Sequence, residues 1–174
     1  ENYLAAITAV WGDVPHEMIC QVAKNFGGVP HRAELVRVLD GVSYYNDSIG
    51  TSPTRTANGT LQLYDRKIIL IAGGYDKHIP YDTLGPIIMD KVKTLILMGA
   101  TADKIEAAVK AAPNYCEQEI VILHADSMEK AVVLAKEQAQ KGDIVSLSPA
   151  SASFDLYPNF EARGNHFKNI VNEL

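Results

Sequence analysis

Four short stretches hold the residues whose types and spacing could do chemistry: His31-Arg32, NDSIGTSPT at 46–54, GGYDKH at 73–78 and SPASAS at 148–153. In the second, the carboxylate of Asp47 stands among Ser48, Thr51 and Ser52, a set able to grip a ribose or a substrate carboxylate. The same residues also suit the capping of a helix that Pro53 helps to start. Gly73 and Gly74 allow positive φ and close backbone approach, so that Lys77 can offer a cation to an anion; a tight turn with a solvated lysine is the plainer reading. SPASAS gathers hydroxyls and backbone N–H groups in a loop of small residues, which is the composition of a nest for carboxylate or phosphate. It is also that of a strand-to-helix loop whose serines satisfy their own backbone. Arg32 has the planar fork that reads phosphate bidentately, and a surface arginine would look no different.

Other chemistries lack their signatures. GxxxxGK[ST], GxGxxG and GxSxG are absent, so no phosphate-loop, dinucleotide or nucleophile-elbow reading is open. His78 and His124 have no carboxylate or cysteine at ligand spacing, and Cys20 and Cys116 show no CxxC or Cys/His pattern. Neither a metal site nor a disulfide framework is expected, and a reducing cytoplasm fits. Net charge is −5 at 47% hydrophobic and 21% charged residues, with Lys and Arg scattered, which argues against nucleic acid or an anionic membrane as partner. No apolar run approaches the ~20 residues of a membrane span.

The elements that must position these loops follow from the hydrophobic pattern. Residues 2–10 and 15–26 read as helices, the second with Asp13 as its N-cap, and GGVPHR at 27–32 reads as a hinge. Strands 34–38 and 42–45 flank Asp40-Gly41, a strong hairpin signal. Uninterrupted apolar runs at 68–74, 94–99, 119–125 and 143–150 then alternate with helical stretches at 52–64, 80–91, 101–112, 127–140 and 160–173. Strands apolar on both faces predict an α/β, doubly wound and mostly parallel sheet with helices on both sides. In such sheets ligands gather beyond the carboxyl ends of the strands, where three of the four stretches fall. Phe154 and Phe160 suit the core more readily than a ligand platform, and Phe167, Ile170 and Val171 should pack the last helix on the sheet.

Taken in order, HRAELV, NDSIGTSPT, IILIAGGYDK, GDIVSLSPASASFD and NFEARGNHF resemble the C-terminal domain of the Mur ligases, over nearly the whole chain. The likeness is strongest to the members that add D-glutamate. It implies a Rossmann-like domain over 29–174, preceded at 1–28 by the short helical tail of a central ATPase domain. The P-loop, the carboxylates for Mg2+ and the sugar-nucleotide site would lie in domains beyond this chain. The implied reaction is cytoplasmic peptidoglycan precursor synthesis: ATP activates the carboxylate of UDP-N-acetylmuramoyl-L-alanine, and the amine of D-glutamate attacks. By the same resemblance Arg32, with His31 beside it, meets nucleotide phosphate and Asp47 meets the ribose. Thr51, Lys77, Ser153 and the region of Phe160 hold the carboxylates of D-glutamate. This sequence departs from some relatives in having Ile49 in place of Lys and Tyr75 in place of Asp, so charge at position 49 must come from elsewhere.

The rival readings are a Mur- or folate-type ligase for another amino acid, and a receiver-like or nucleotide-binding α/β module without catalysis. A receiver would carry an acidic cluster ending its first strand, and none is present. A pure interaction domain would instead show a large exposed apolar patch.

Overall fold

The computed structural model describes residues 2–174, with side-chain surroundings from residue 3 onward. Six strands form one sheet: β1 (Glu34–Leu39), β2 (Val42–Asn46), β3 (Ile68–Ala72), β4 (Val92–Leu97), β5 (Val121–His124) and β6 (Ile144–Leu147). Their spatial order is β1-β2-β6-β3-β4-β5. Only the β1–β2 pair is antiparallel, joined by the turn at Asp40 (φ 52) and Gly41 (φ 81), whose two positive φ values match the twist of a two-residue hairpin. All other pairings are parallel.

The expected alternation of strand and helix is borne out, and both sheet faces are covered. Ile68, Leu70 and Ala72 of β3 point to one face, packing with α3 (Pro53–Asn58), α4 (Leu84–Lys91) and α5 (Ala102–Lys110). Ile69 and Ile71 point to the other, against α6 (Met128–Gln138) and α7 (Phe160–Glu173). Every residue of β3 is at most 1% exposed, which is why the run reads as continuous apolar rather than alternating. Phe167 and Val171 of α7 are buried as expected, whereas Phe154 is 65% exposed.

Two local expectations change. The helix expected over 52–64 is α3 followed by a 3-10 turn over Thr60–Leu63, split at Gly59, where a side chain would strike the Arg55 carbonyl. Asp13 does not cap: Pro15 occupies the N-cap position of α2 (His16–Asn25), with no side-chain cap bond. Together α1 (Asn2–Val10) and α2 form an arm in which no α2 residue is buried. Tyr3, Ile7, Met18, Val22 and Phe26 line an open apolar groove of about 490 Å³ between its helices.

Candidate functional site

The three loops expected to carry chemistry converge at the carboxyl ends of β2, β3 and β6, as the parallel arrangement requires. Leaving β2, Asn46 accepts from the Ser48 N–H at 3.1 Å, and the Asp47 N–H donates to the Leu147 carbonyl at 2.8 Å. The chain then turns so that Ser52 caps α3, accepting from the Arg55 N–H at 3.3 Å.

After β3, Gly73 (φ 110) and Gly74 (φ 146) take up backbone geometry that side chains resist. A Cβ on Gly73 would overlap the Met98 carbonyl oxygen, and one on Gly74 the Ala152 carbonyl oxygen. That close approach lets the Tyr75 N–H donate to the Ala152 carbonyl at 2.9 Å, and so draws the lysine loop against the serine loop. Lys77, exposed, lies with its Nζ 3.4 Å from Thr51 Oγ1. Two of the residues expected at one subsite thus meet from different loops, with Ser153 directly beyond Ala152.

The serines divide between two jobs. Ser148 Oγ contacts Asp47 Oδ2 at 3.1 Å, Thr60 Oγ1 at 3.0 Å and Thr56 Oγ1 at 3.0 Å. Ser151 Oγ pairs at 2.8 Å with both Tyr81 Oη and Thr101 Oγ1. These two are the self-satisfying loop serines of the plainer reading. Ser153 enters neither network, and its backbone carbonyl accepts from Leu156 and Tyr157 N–H groups at 3.1 and 2.8 Å. Beside it the exposed rings of Tyr75 and Phe154 meet edge to face at 5.9 Å, an aromatic rim that the sequence reading left out.

Two expected nucleotide residues face inward. Asp47 is fully buried; Oδ1 accepts from the Ala33 N–H at 3.1 Å and from Arg55 Nη2 at 3.4 Å, and Oδ2 from the hydroxyls of Ser148 and Thr60. Arg55, which the sequence reading passed over, brings to this corner the positive charge that Ile49 lacks. His31, expected beside Arg32 at a nucleotide phosphate, is 7% exposed. Its Nδ1 lies 2.9 Å from Asn46 Nδ2, and its ring meets Phe160 edge to face at 5.9 Å. The reason is local, because left-handed backbone at His31 (φ 63) and Ala33 (φ 46) turns the imidazole into the fold and leaves Arg32 exposed.

Glu34 anchors this turn, accepting at Oε2 from the His31 N–H (2.9 Å) and Asn46 Nδ2 (3.2 Å) and pairing at Oε1 with Lys168 (2.6 Å). Burial pushes its pKa up, but the Lys168 ammonium and the N–H donors outweigh this and hold it below the ordinary carboxylate range. A lowered folded pKa means stability that is fully present at neutral pH and lost as pH falls through the carboxylate range. The urea midpoint of a Glu34→Gln variant should therefore lie below the parent's at pH 7, with the gap closing under acid. A gap independent of pH would remove the charge argument.

His124 meets its carboxylate across the fold. It lacks a carboxylate neighbour in sequence, but the fold sets Glu106 Oε2 2.6 Å from its Nε2 and brings Asp103 alongside. Lys110 takes the other Glu106 oxygen at 2.6 Å, so Glu106 is shared between a surface ion pair and the imidazole.

The site's clearest omission from the sequence reading is Arg163, one helical turn after Phe160 and 2% exposed. Its guanidinium donates to Ser48 Oγ (3.0 Å) and to the carbonyls of Ala152 (2.9 Å), Ser48 (2.9 Å) and Ser151 (3.1 Å). Burial pulls its pKa down to about 10, so it stays charged at neutral pH.

What the arrangement offers is a cation beside a hydroxyl, the Lys77–Thr51 pair, with the buried Ser153 (2% exposed) and an aromatic rim in the adjoining loop, a set suited to an anionic amino acid, and an exposed Arg32 in the 27–32 segment. UDP-N-acetylmuramoylalanine--D-glutamate ligase of Clostridium acetobutylicum is 56% identical over all of this chain, which spans 37% of that relative. The ligase of the same name from Acetivibrio thermocellus is 53% identical over all of this chain and 38% of its own length. Among solved structures, E. coli FolC in complex with ADP superposes with a TM-score of 0.63 at 18% identity, over 98% of this chain and 38% of that one. Murein peptide ligase Mpl from Psychrobacter arcticus gives 0.53 at 18%, over 99% and 36%; both are likenesses of fold. The chain thus spans somewhat over a third of the curated relatives it matches. Residues 31–151, which carry the loops at 46–54 and 73–78 and the first part of the serine loop, match the family model described as Mur ligase, glutamate ligase domain, and the chain belongs to that family.

Proposed function

We propose that this chain is the amino-acid-binding domain of an ATP-dependent ligase that joins D-glutamate to UDP-N-acetylmuramoyl-L-alanine in the cytoplasm. The observation that carries the reading is the meeting of Lys77 and Thr51 at 3.4 Å beside the Ser153 loop, in a chain whose relatives bear that ligase name along its whole length. D-Glutamate carries two carboxylates. Lys77 supplies a point charge, Thr51 and Ser153 supply hydroxyl donors, and the Phe160 region closes the side. Arg32 meets a nucleotide phosphate across the hinge. The ribose approaches Asp47 from its Arg55 side, where the 3.4 Å contact is the longest bond the carboxylate makes and the easiest to exchange.

ATP phosphorylates the L-alanine carboxylate, the D-glutamate amine adds to the acyl phosphate carbonyl, and the tetrahedral intermediate expels phosphate to leave an amide. This domain holds the amine donor. Oriented delivery of one reactant to another is worth ~7–11 kcal/mol of barrier, and closure about the 27–32 hinge would supply it while excluding water. Magnesium shields phosphate charge in such transfers. The residues here do not fit it, since Asp47 is bound internally and Asp76 is paired with Lys104, so its ligands lie elsewhere in the ligase. The exposed apolar groove of the α1–α2 arm supports assigning residues 1–28 to the central domain, which would cover it.

The test is amino-acid selectivity of the full-length ligase, measured as amide formed with UDP-N-acetylmuramoyl-L-alanine and ATP. D-Glutamate should be used, and L-glutamate, D-aspartate and L-lysine should not. Preference for another amino acid would favour a different member of the family. The 174-residue chain alone should form no amide.

A further inference from the structure

We infer that Arg163 is a positioning residue that sets the amino-acid subsite, by binding at one point the three loops that form it. The inference rests on the D-glutamate reading above. Two of the loops bond the guanidinium directly, and the third reaches it through a shared carbonyl. The β2 exit presents the hydroxyl and carbonyl of Ser48, and the β6 exit presents the carbonyls of Ser151 and Ala152. The β3 exit joins through Ala152, whose carbonyl accepts from both Arg163 Nη1 and the Tyr75 N–H, each at 2.9 Å. Gly74 passes so close that a Cβ there would lie 3.1 Å from Arg163 Nη1. The Ser48 hydroxyl, held by Arg163 Nε, donates in turn to the Phe160 carbonyl at 2.8 Å and fixes the start of α7. Ser153 therefore lies one residue past a clamped carbonyl, Phe160 one turn before the clamp, and Lys77 two residues past the clamped Tyr75.

The chemistry of the clamp favours this role over plain packing. All four acceptors are neutral, and among the described residues no carboxylate is bonded to the buried cation, the Asp155 charge only acting on it from nearby, an arrangement that costs more than an apolar side chain filling the same volume. What arginine adds is a planar fork able to hold several oxygens in fixed directions, which lysine cannot reproduce.

The test compares Arg163→Lys, Ser48→Ala and Lys77→Ala in the full-length ligase, measuring KM for D-glutamate, KM for ATP, kcat and the thermal midpoint. Arg163→Lys keeps the charge but not the fork. Its KM for D-glutamate should rise about tenfold or more, the size expected for lost charge-assisted hydrogen bonds, while KM for ATP stays within about twofold. Ser48→Ala should move the same constant in the same direction by less. An unchanged D-glutamate KM in Arg163→Lys, or equal rises for both substrates, would overturn the role. Should Arg163→Lys fail to fold, Ser48→Ala decides alone, and an unmoved D-glutamate KM there refutes the clamp. If Lys77→Ala raises that KM while the clamp variants do not, only the positioning role falls. If Lys77→Ala leaves it unmoved, the subsite itself is misplaced and the clamp inference falls with it.

Discussion

In the full-length ligase, Lys77→Ala should raise the KM for D-glutamate by about 10- to 100-fold, as expected for a lost charged hydrogen bond to a carboxylate, and leave KM for ATP within about twofold. Lys77 is exposed in this chain, so removing it leaves no uncompensated buried charge and should cost the fold little. Its Nζ lies 3.4 Å from Thr51 Oγ1, the longest tolerable reach for a hydrogen bond. The ammonium is therefore held loosely and free to turn to an incoming carboxylate. Thr51→Ala should act in the same direction but more weakly, because a neutral donor contributes about half as much as a charged pair. Steady-state kinetics with each substrate varied separately checks this, and equal effects on both KM values would place Lys77 outside the amino-acid subsite.

Gly74→Ala should be among the most destabilising single changes in the chain. The position combines φ 146 with a Cβ that would overlap the Ala152 carbonyl oxygen, and that carbonyl is itself held by Tyr75 and Arg163. Neither partner can give way without breaking the junction of the β3 and β6 loops. Strain and steric overlap together should cost on the order of 3 kcal/mol, and for a chain of this size that lowers the thermal midpoint by about 6–12 °C. Gly142→Ala is the control. It also has positive φ, 94, but nothing lies within 4 Å of its Cβ, so it isolates the backbone term. Calorimetry of the two variants should show the Gly74 change as clearly larger, and equal losses would mean that the close approach carries no weight.

Legibility from the sequence tracked the range of the interactions. The hairpin at Asp40-Gly41 and the unbroken apolar run of β3 are local signals, and both elements form where expected. The meeting of Lys77 and Thr51 is expected from the family resemblance, which puts both at one subsite; from the residues alone they are two loops at strand ends, which the parallel topology brings together. Arg163 and Arg55 escaped notice because the residues that define them are remote or conformational. Arg163 and Ser48 are separated by 115 positions, and in the sequence an arginine in an amphipathic helix looks like a solvated one. The burial of His31 is hidden for a related reason. Positive φ at a non-glycine residue leaves no mark in composition, so the inward turn of the imidazole, and the outward turn of Arg32, required the backbone itself. The serine loop shows the same limit: three similar hydroxyls stand within six residues, and only tertiary contacts separate Ser148 and Ser151, which bind the fold, from Ser153.

The most direct measurement on the central claim, that this domain holds the amino acid, is an NMR titration of the isotope-labelled full-length ligase with nucleotide bound. D-Glutamate, L-glutamate and D-aspartate would be added in parallel and read at the amides of Thr51, Lys77 and Ser153. Saturable shifts at all three for D-glutamate alone are the expected result. Silence at those positions, in a preparation that forms amide from D-glutamate once ATP and UDP-N-acetylmuramoyl-L-alanine are supplied, would contradict the claim and put the amino-acid site outside this domain.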